Sequence, residues 1–273
     1  MQPFIKWAGG KRQLIPIIKS KLPENFDVFY EPFLGGGAVL LELIPRKAVV
    51  GDINEVLVNT YIAIKNESKV LKEQLIHLTN AHNSSIDKKE FYYKMREKFN
   101  ENLINTKNDI ETVSLFIYLN KTCFNGLFRV NSKGLFNVPF NGKEKINLFD
   151  EDNLYAISKY LEKIDIVNSD FEETCKNAKK GDFVFFDSPY APIKEDSFES
   201  YTKEGFSLDN HIRLAKLYEK LTEKGVYCML TNHNTDLIRE LYSKYNIEVV
   251  QVKRMINSDA NKRSGEEVII TNY

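Results

Sequence analysis

The stretch with the most chemistry in it is Asp187-Ser188-Pro189-Tyr190, which follows directly on the apolar run Phe183-Val184-Phe185-Phe186. If that run is a strand of an open α/β sheet, its carboxyl end is where ligands bind and reactions happen. A carboxylate there accepts a hydrogen bond from an amino group. The Ser188 carbonyl, held extended by the proline after it, accepts a second. Tyr190 offers a flat face on which a base can stack. Two acceptors on one amino group draw its nitrogen toward a tetrahedral shape and expose the lone pair to an electrophilic methyl group. No general base has to remove a proton first. The plainer alternative is an aspartate-proline turn that closes a strand.

Two further groups of residues point to a ligand. Phe33-Leu34-Gly35-Gly36-Gly37 lies between a strand-like and a helix-like segment. Glycines there let a ligand approach the backbone, and the helix start offers free N–H groups. The run is neither GxGxxG nor a P-loop, so dinucleotide and ATP binding fit poorly. Asp52 ends the next short strand, where a carboxylate can take both hydroxyls of a ribose. Together they favour an adenosine-containing ligand without a pyrophosphate beside the glycines, a description that S-adenosylmethionine meets. A tight packing turn plus a surface aspartate would look the same. In Lys6-Trp7-Ala8-Gly9-Gly10-Lys11-Arg12, cations at a helix start oppose the macrodipole, which calls for an anion such as a ligand carboxylate or a phosphate. The alternative is an N-terminal arm with a packing tryptophan.

The stretch from Asn120 to Asn141, NKTCFNGLFRVNSKGLFNVPFN, interleaves aromatics with Asn, Arg and Lys, side chains that read base edges and phosphates. Phe124 can wedge between bases and Arg129 can pair with a guanine. Equally, the aromatics can pack against the helices before them. His77, His82, His211 and His233 have no metal-ligand spacing, so no metal is expected.

The elements that must position these groups alternate at both ends of the chain. Residues 12–22 read as a helix, 27–33 as a buried strand, 38–44 as a helix and 48–52 as a strand, the opening of a parallel α/β sheet. From 54 to 120 helical periods dominate, and 129–140 reads as a β-hairpin turning near Lys133-Gly134. Strands resume at 164–170, 182–187, 226–231, 247–253 and 267–272, with helices at 208–221 and 235–245. The last two strands, joined by a loop alone, are expected to be antiparallel. The predicted division is thus an α/β domain of residues 1–55 and 149–273, split by a helical insertion with a hairpin at 56–148.

The composition suits such a protein. The chain has 273 residues, 42% hydrophobic and 28% charged, enough apolar surface for a core. Three scattered cysteines form neither a disulfide framework nor a CxxC site, which points to a reducing compartment. Without a signal-like start or a spanning segment, a cytoplasmic protein with no membrane partner is expected. The net charge of +0 is unusual for a nucleic-acid binder, although lysines and arginines cluster near the N-terminus and around residues 129–133 and 253–263.

In this order, PFIKWAGGKRQL, YEPFLGGGAV, GDIN, YLNKTCFNGLFRVNSKGLFNVPF, SDFEE, FFDSPY, SFESYTKEGFS, LTNHNT and SGEEVIITNY resemble the Dam and DpnII type of DNA adenine methyltransferases, which recognise GATC. The resemblance implies a Rossmann-like, seven-stranded S-adenosylmethionine-dependent methyltransferase sheet with the insertion as target-recognition domain. It implies methylation of the N6 amino group of adenine in double-stranded DNA, with the base flipped into the site. Trp7, Lys11, Asp52 and Asp187 match positions lining the methyl-donor site, with Glu31, Phe33, Gly35 and Gly37 alongside and Asp170 and Phe171 on the donor's adenine. Asp187, Ser188, Pro189 and Tyr190 match the catalytic tetrapeptide. Lys6, Phe124, Asn125, Leu127, Arg129 and Pro139 match positions that touch or intercalate beside the target. A cognate restriction endonuclease would be a genetic partner, not a bound one.

Two departures stand out. The family tetrapeptide is usually DPPY, and Ser188 keeps the carbonyl while losing ring rigidity, at a cost of about 0.4–1 kcal/mol. Asn141-Gly142-Lys143-Glu144-Lys145 replaces the usual Gly-Arg-Tyr-Lys and alters the phosphate contacts expected there. Rival readings are amino methylation of RNA or of a protein glutamine on the same fold, and a GATC-binding module that has lost catalysis through Ser188. An NAD dehydrogenase has no pyrophosphate fingerprint to stand on.

Overall fold

In the computed structural model, the structure describes all residues except Arg12, 194–205 and 254–263, and only the backbone of Lys253 and Ser264. The greater part of SFESYTKEGFS and most of the basic cluster around residues 253–263 therefore lie outside the described residues. Seven strands form one mixed sheet: β1 (Phe29–Glu31), β2 (Ala48–Asp52), β3 (Ile164–Asn168), β4 (Phe183–Phe186), β5 (Tyr227–His233), β6 (Asn246–Lys253) and β7 (Ser264–Thr271), in the order β3-β2-β1-β4-β5-β7-β6. β1 is parallel to β2 and β4, and β4 to β5. β7 runs antiparallel to β6, as expected for the last two strands, and also to β5. β4 is buried along its whole length, which explains its unbroken run of apolar residues. β1 is shorter than the apolar run suggests, because Pro32 has no N–H to give to a ladder.

The chain divides into two compact units, one of Met1–Gly10, Gly35–Ile44 and Asn54–Asn168, the other of Lys11–Leu34, Pro45–Ile53 and Ser169–Tyr273. In the first unit α2 (Ala38–Leu43) follows the glycine turn, and α3 (Glu55–Asn66), α4 (Ser68–Ser84), α5 (Lys88–Ile104) and α6 (Ile110–Thr122) follow one another. The side chains of Asn54, Asp87 and Asp109 cap α3, α5 and α6 by accepting N–H groups of the first turn. α6 is buried from Thr112 to Asn120 and packs against α3, α4 and α5, so it is apolar around most of its circumference. α7 (Glu151–Leu161), absent from the sequence expectation, is capped by Asp150 and buries Leu154, Ile157 and Leu161 on one face.

The expected hairpin is looser than two strands. The Asn131 and Asn137 N–H groups reach the Leu135 and Arg129 carbonyls, but pairing is limited to the isolated bridges Val130–Phe136 and Cys123–Phe140. Its aromatics answer the question left open by composition. Phe128 packs on Phe116, Phe136 on Phe99 and Phe140 on Tyr92 and His82. They are spent on holding the segment to α4, α5 and α6. Phe124, by contrast, remains 52% exposed.

The second unit carries α1 (Ile15–Ser20), α8 (Phe171–Thr174), α9 (Leu208–Glu223) and α10 (Asp236–Leu241). α1 starts three residues later than expected. The N–H groups of Leu14 and Ile15 both turn onto the Lys11 carbonyl, and Pro16 falls in the first helical turn, where its missing N–H does no harm. The core here joins Tyr30, Val184, Phe186, Leu214, Tyr218, Leu230, Val268 and Ile270. Among the described residues no helix is long and apolar enough to cross a membrane.

Candidate functional site

In the second unit the residues of the tetrapeptide leave β4 at its carboxyl end and turn beneath the end of β5. Asp187 is 19% exposed, and its Oδ1 receives both Lys11 Nζ at 2.6 Å and the Thr231 hydroxyl at 3.1 Å. One anion beside the N-terminal cations is therefore Asp187, a protein carboxylate paired with Lys11. Burial raises the Asp187 pKa above the usual aspartate value, and the Lys11 ammonium and its hydrogen bond pull it back down. Lys11 Nζ also lies 4.5 Å from the centre of the Tyr190 ring. The Tyr190 hydroxyl donates to Glu267 Oε2 at 2.8 Å, and His233 packs edge-on against its ring at 4.7 Å. Desolvation and the Asp187 and Glu267 charges hold the phenol well above its ordinary pKa, so Tyr190 stays neutral. Ser188 is buried, with its Oγ accepting from Asn232 Nδ2 at 3.3 Å.

Other expected donor residues sit at the same carboxyl ends. Glu31 closes β1 and is buried, and Asp52 closes β2. Asp170 caps α8, accepting the Glu172 N–H at 2.9 Å, and pairs with Arg213 at 3.1 Å. Arg213 in turn lies over the Phe171 ring, whose other neighbour is Phe33, stacked at 5.4 Å. Phe206 meets both phenylalanines and touches His211 at 4.9 Å. Burial lowers the His211 pKa to about 4, so it is neutral, and its buried Nε2 has no hydrogen-bond partner among the described residues. Carboxylates, a lysine, an aromatic wall and an unpaired ring nitrogen suit a nucleoside that carries an amino acid, which fits S-adenosylmethionine.

The first unit holds the remaining expected residues. Gly35 (φ 50°) and Gly37 (φ 65°) are left-handed, and α2 begins directly after them. A Cβ on Gly35 would fall 2.9 Å from Trp7 Cδ1. Gly35 is needed for the tryptophan at least as much as for a ligand. Trp7 stacks on Phe128 with centroids 5.7 Å apart, so the packing alternative for this residue is part of the answer.

The residues expected to touch DNA are brought together in this unit. Lys6, Phe124, Asn125, Arg129 and Pro139 are exposed and Leu127 half-buried. The Asn120 side chain ties them down: its Oδ1 accepts the Lys6 N–H at 2.8 Å and its Nδ2 donates to the Lys6 and Gly126 carbonyls. The Phe124 N–H donates to the Pro139 carbonyl at 2.8 Å, and Arg129 Nε to Asn137 Oδ1 at 2.7 Å. Asn125 adopts φ 55°, a region that asparagine tolerates better than most residues. Nearby, burial and the positive charges of Lys6 and Lys143 depress the Lys121 ammonium to about 8, a cationic cluster suited to phosphate.

Several residues of the second unit had no role assigned from sequence. Thr231, Asn232, His233 and Glu267 all hold the tetrapeptide. For the first three the signal was present, because LTNHNT breaks from a buried apolar strand into polar residues at a carboxyl end. Arg213 had no such signal, lying on the outer turn of an ordinary amphipathic helix. Among the described residues, no group of three or more His, Cys, Asp or Glu could hold a metal ion.

A seven-stranded sheet of this order, with an acidic residue closing its central strand, is a Rossmann-like methyltransferase fold. Residues 7–256 match the D12 class of N6 adenine-specific DNA methyltransferases, and the chain belongs to that family. It is 44% identical over 288 residues to the Type II methyltransferase M.MjaIII of Methanocaldococcus jannaschii, covering 100% of this chain and 99% of that protein. It is 41% identical over 277 residues to the Type II methyltransferase M1.LlaDCHI of Lactococcus lactis subsp. cremoris, covering 100% and 96%. With the DNA adenine methylase of Escherichia coli K12 it shares 32% identity over 275 residues, 99% of this chain and 94% of the other. The protein is an adenine-specific DNA methyltransferase, a family that implies S-adenosylmethionine as methyl donor and DNA as substrate.

Proposed function

We propose that the protein methylates the N6 amino group of adenine within GATC in duplex DNA, on a base turned out of the helix into the site of Asp187 and Tyr190. The observation that carries this reading is the Lys11–Asp187–Tyr190 arrangement at the end of β4. S-adenosylmethionine, when bound, would supply an electrophilic sulfonium methyl group, its sulfur keeping the electron pair of the broken S–CH3 bond and leaving as a neutral thioether. Lys11 and Thr231 both bind Asp187 Oδ1, and Oδ2 is assigned to accept a proton of the adenine amino group. The Ser188 carbonyl accepts the other, and Tyr190 stacks on the base. The nitrogen carries a positive charge once it has gained the methyl group, and a proton then passes from it to Asp187, whose desolvation favours the protonated form. Trp7, Glu31, Phe33, Gly35, Gly37, Asp52, Asp170 and Phe171 are assigned to the donor.

Target recognition falls to residues 56–148 with Lys6. Phe124 fills the gap left by the flipped base, Arg129 reads a guanine edge, and Asn125, Leu127 and Pro139 border the site. The closer similarity to proteins named Type II methyltransferases favours modification of DNA beside a cognate restriction endonuclease, linked genetically and not by contact.

Single-turnover methyl transfer by Asp187→Ala tests the catalytic part. The rate should fall by about 10²–10³ with DNA affinity retained, as when one preorganised partner of a reacting group is removed. A rate within a few fold of wild type would remove Asp187 from the mechanism.

A further inference from the structure

We infer that Asn232 is a positioning residue for the catalytic tetrapeptide and that its bond to the Ser188 hydroxyl does the work of the proline usually found at that position. The inference rests on the reading of residues 187–190 as the catalytic segment. A proline would fix the backbone of residue 188 by its ring, whereas serine leaves that torsion to be held by its surroundings. Ser188 is only 2% exposed, so solvent does not satisfy its hydroxyl, and Asn232 Nδ2 donates to Oγ at 3.3 Å. Asn232 is itself fully buried, and its backbone is fixed in β5 opposite Val268 of β7. Its other amide atom, Oδ1, accepts the Ala191 N–H at 2.8 Å and the His233 N–H at 2.9 Å. One rigid amide thus grips residues 188 and 191, on either side of Pro189-Tyr190.

The next residue completes the clamp. His233 Nδ1 lies 2.8 Å from the Ala191 carbonyl, which can only accept, so the proton sits on Nδ1. The same ring packs against Tyr190. Glu267, which takes the Tyr190 hydroxyl, is the β7 residue paired with His233. Both backbone groups of Ala191, the Ser188 hydroxyl and both ends of Tyr190 are therefore referred to two adjacent strands. A site that must hold an amino nitrogen in line with a methyl group loses rate steeply when its reference points loosen.

The test compares kcat, the KM for DNA and the KM for S-adenosylmethionine in wild type, Ser188→Ala, Ser188→Pro, Asn232→Ala and the Ser188→Ala/Asn232→Ala double variant. Thermal midpoints serve as the check on folding. Ser188→Ala should lower kcat by about threefold to tenfold with both KM values within twofold, the pattern of a lost transition-state constraint. Ser188→Pro, whose ring supplies the constraint, should be faster than Ser188→Ala. The double variant should be no slower than Asn232→Ala alone, because the hydroxyl acts through that amide. Should Asn232→Ala not fold, the two Ser188 variants decide alone. Wild-type kcat in Ser188→Ala, or a Ser188→Pro no faster than Ser188→Ala, overturns the inference. So does an inactive wild type that Ser188→Pro revives. If instead Asp187→Ala transfers methyl groups normally, the catalytic reading of the segment has failed, which the Ser188 series by itself would not show.

Discussion

Lys11 and Asp187 pull against the solvent that burial has removed. Burial pushes the Asp187 pKa up, and the ammonium 2.6 Å away pulls it back toward the ionised form. The sign of the effect gives a prediction. Lys11→Met removes the group that lowers the Asp187 pKa, so the acid limb of the kcat–pH profile, measured at saturating donor, should move to higher pH. An unmoved limb would mean that some other group sets it. The pairing also shows where sequence reasoning stops. The need for an anion near Lys11 was legible from its place at a helix start, but Asp187 is far away in sequence and only the fold could nominate it. Ser188 is a similar case: its departure from the usual proline is plain in the sequence, and its hydrogen bond to Asn232 is not.

At the scale of elements, two glycine turns present functional residues. At Gly35 the constraint comes from both a left-handed backbone and the Trp7 ring, and Trp7 then stacks on Phe128 of the hairpin segment. At Gly126 (φ 66°) an added Cβ would fall 2.5 Å from Lys6 Cδ, 2.7 Å from Lys6 Cβ and 3.2 Å from the Asn120 carbonyl oxygen. That turn displays Phe124 and Asn125 and abuts Lys6, three of the residues assigned to DNA. Gly126→Ala should strain it by about 1–3 kcal/mol, enough to weaken binding of a GATC duplex about tenfold. S-adenosylmethionine binding should be nearly unaffected. Wild-type DNA affinity in this variant would show that the turn does not present the interface. The hairpin itself was the least legible element. Its aromatics alternate as a strand would, but packing of Phe128, Phe136 and Phe140 onto the helices holds the segment without a ladder. α7 escaped notice for the opposite reason: its buried Leu154, Ile157 and Leu161 are spaced as in an ordinary amphipathic helix, with no motif to draw attention.

For the whole molecule, most of the sheet could be read from the chain because its strands are short apolar runs closed by turn residues or by Asp52 and Asp187. Both acids stand at carboxyl ends of the sheet's strands, where the fold places ligands. The net charge of +0 carried no such information, since a binding surface is made by local clusters such as Lys6, Lys121 and Lys143 and is not visible in a sum. Family membership fixes the reaction class, and GATC is the target proposed on the resemblance of the recognition segment. The two are tested together by methyl transfer from labelled S-adenosylmethionine to duplexes containing GATC, GTAC or no adenine, with the modified base identified. Label on the N6 of adenine in the GATC duplex alone is the predicted result; equal labelling of the GTAC duplex, or label on any other base, would contradict it.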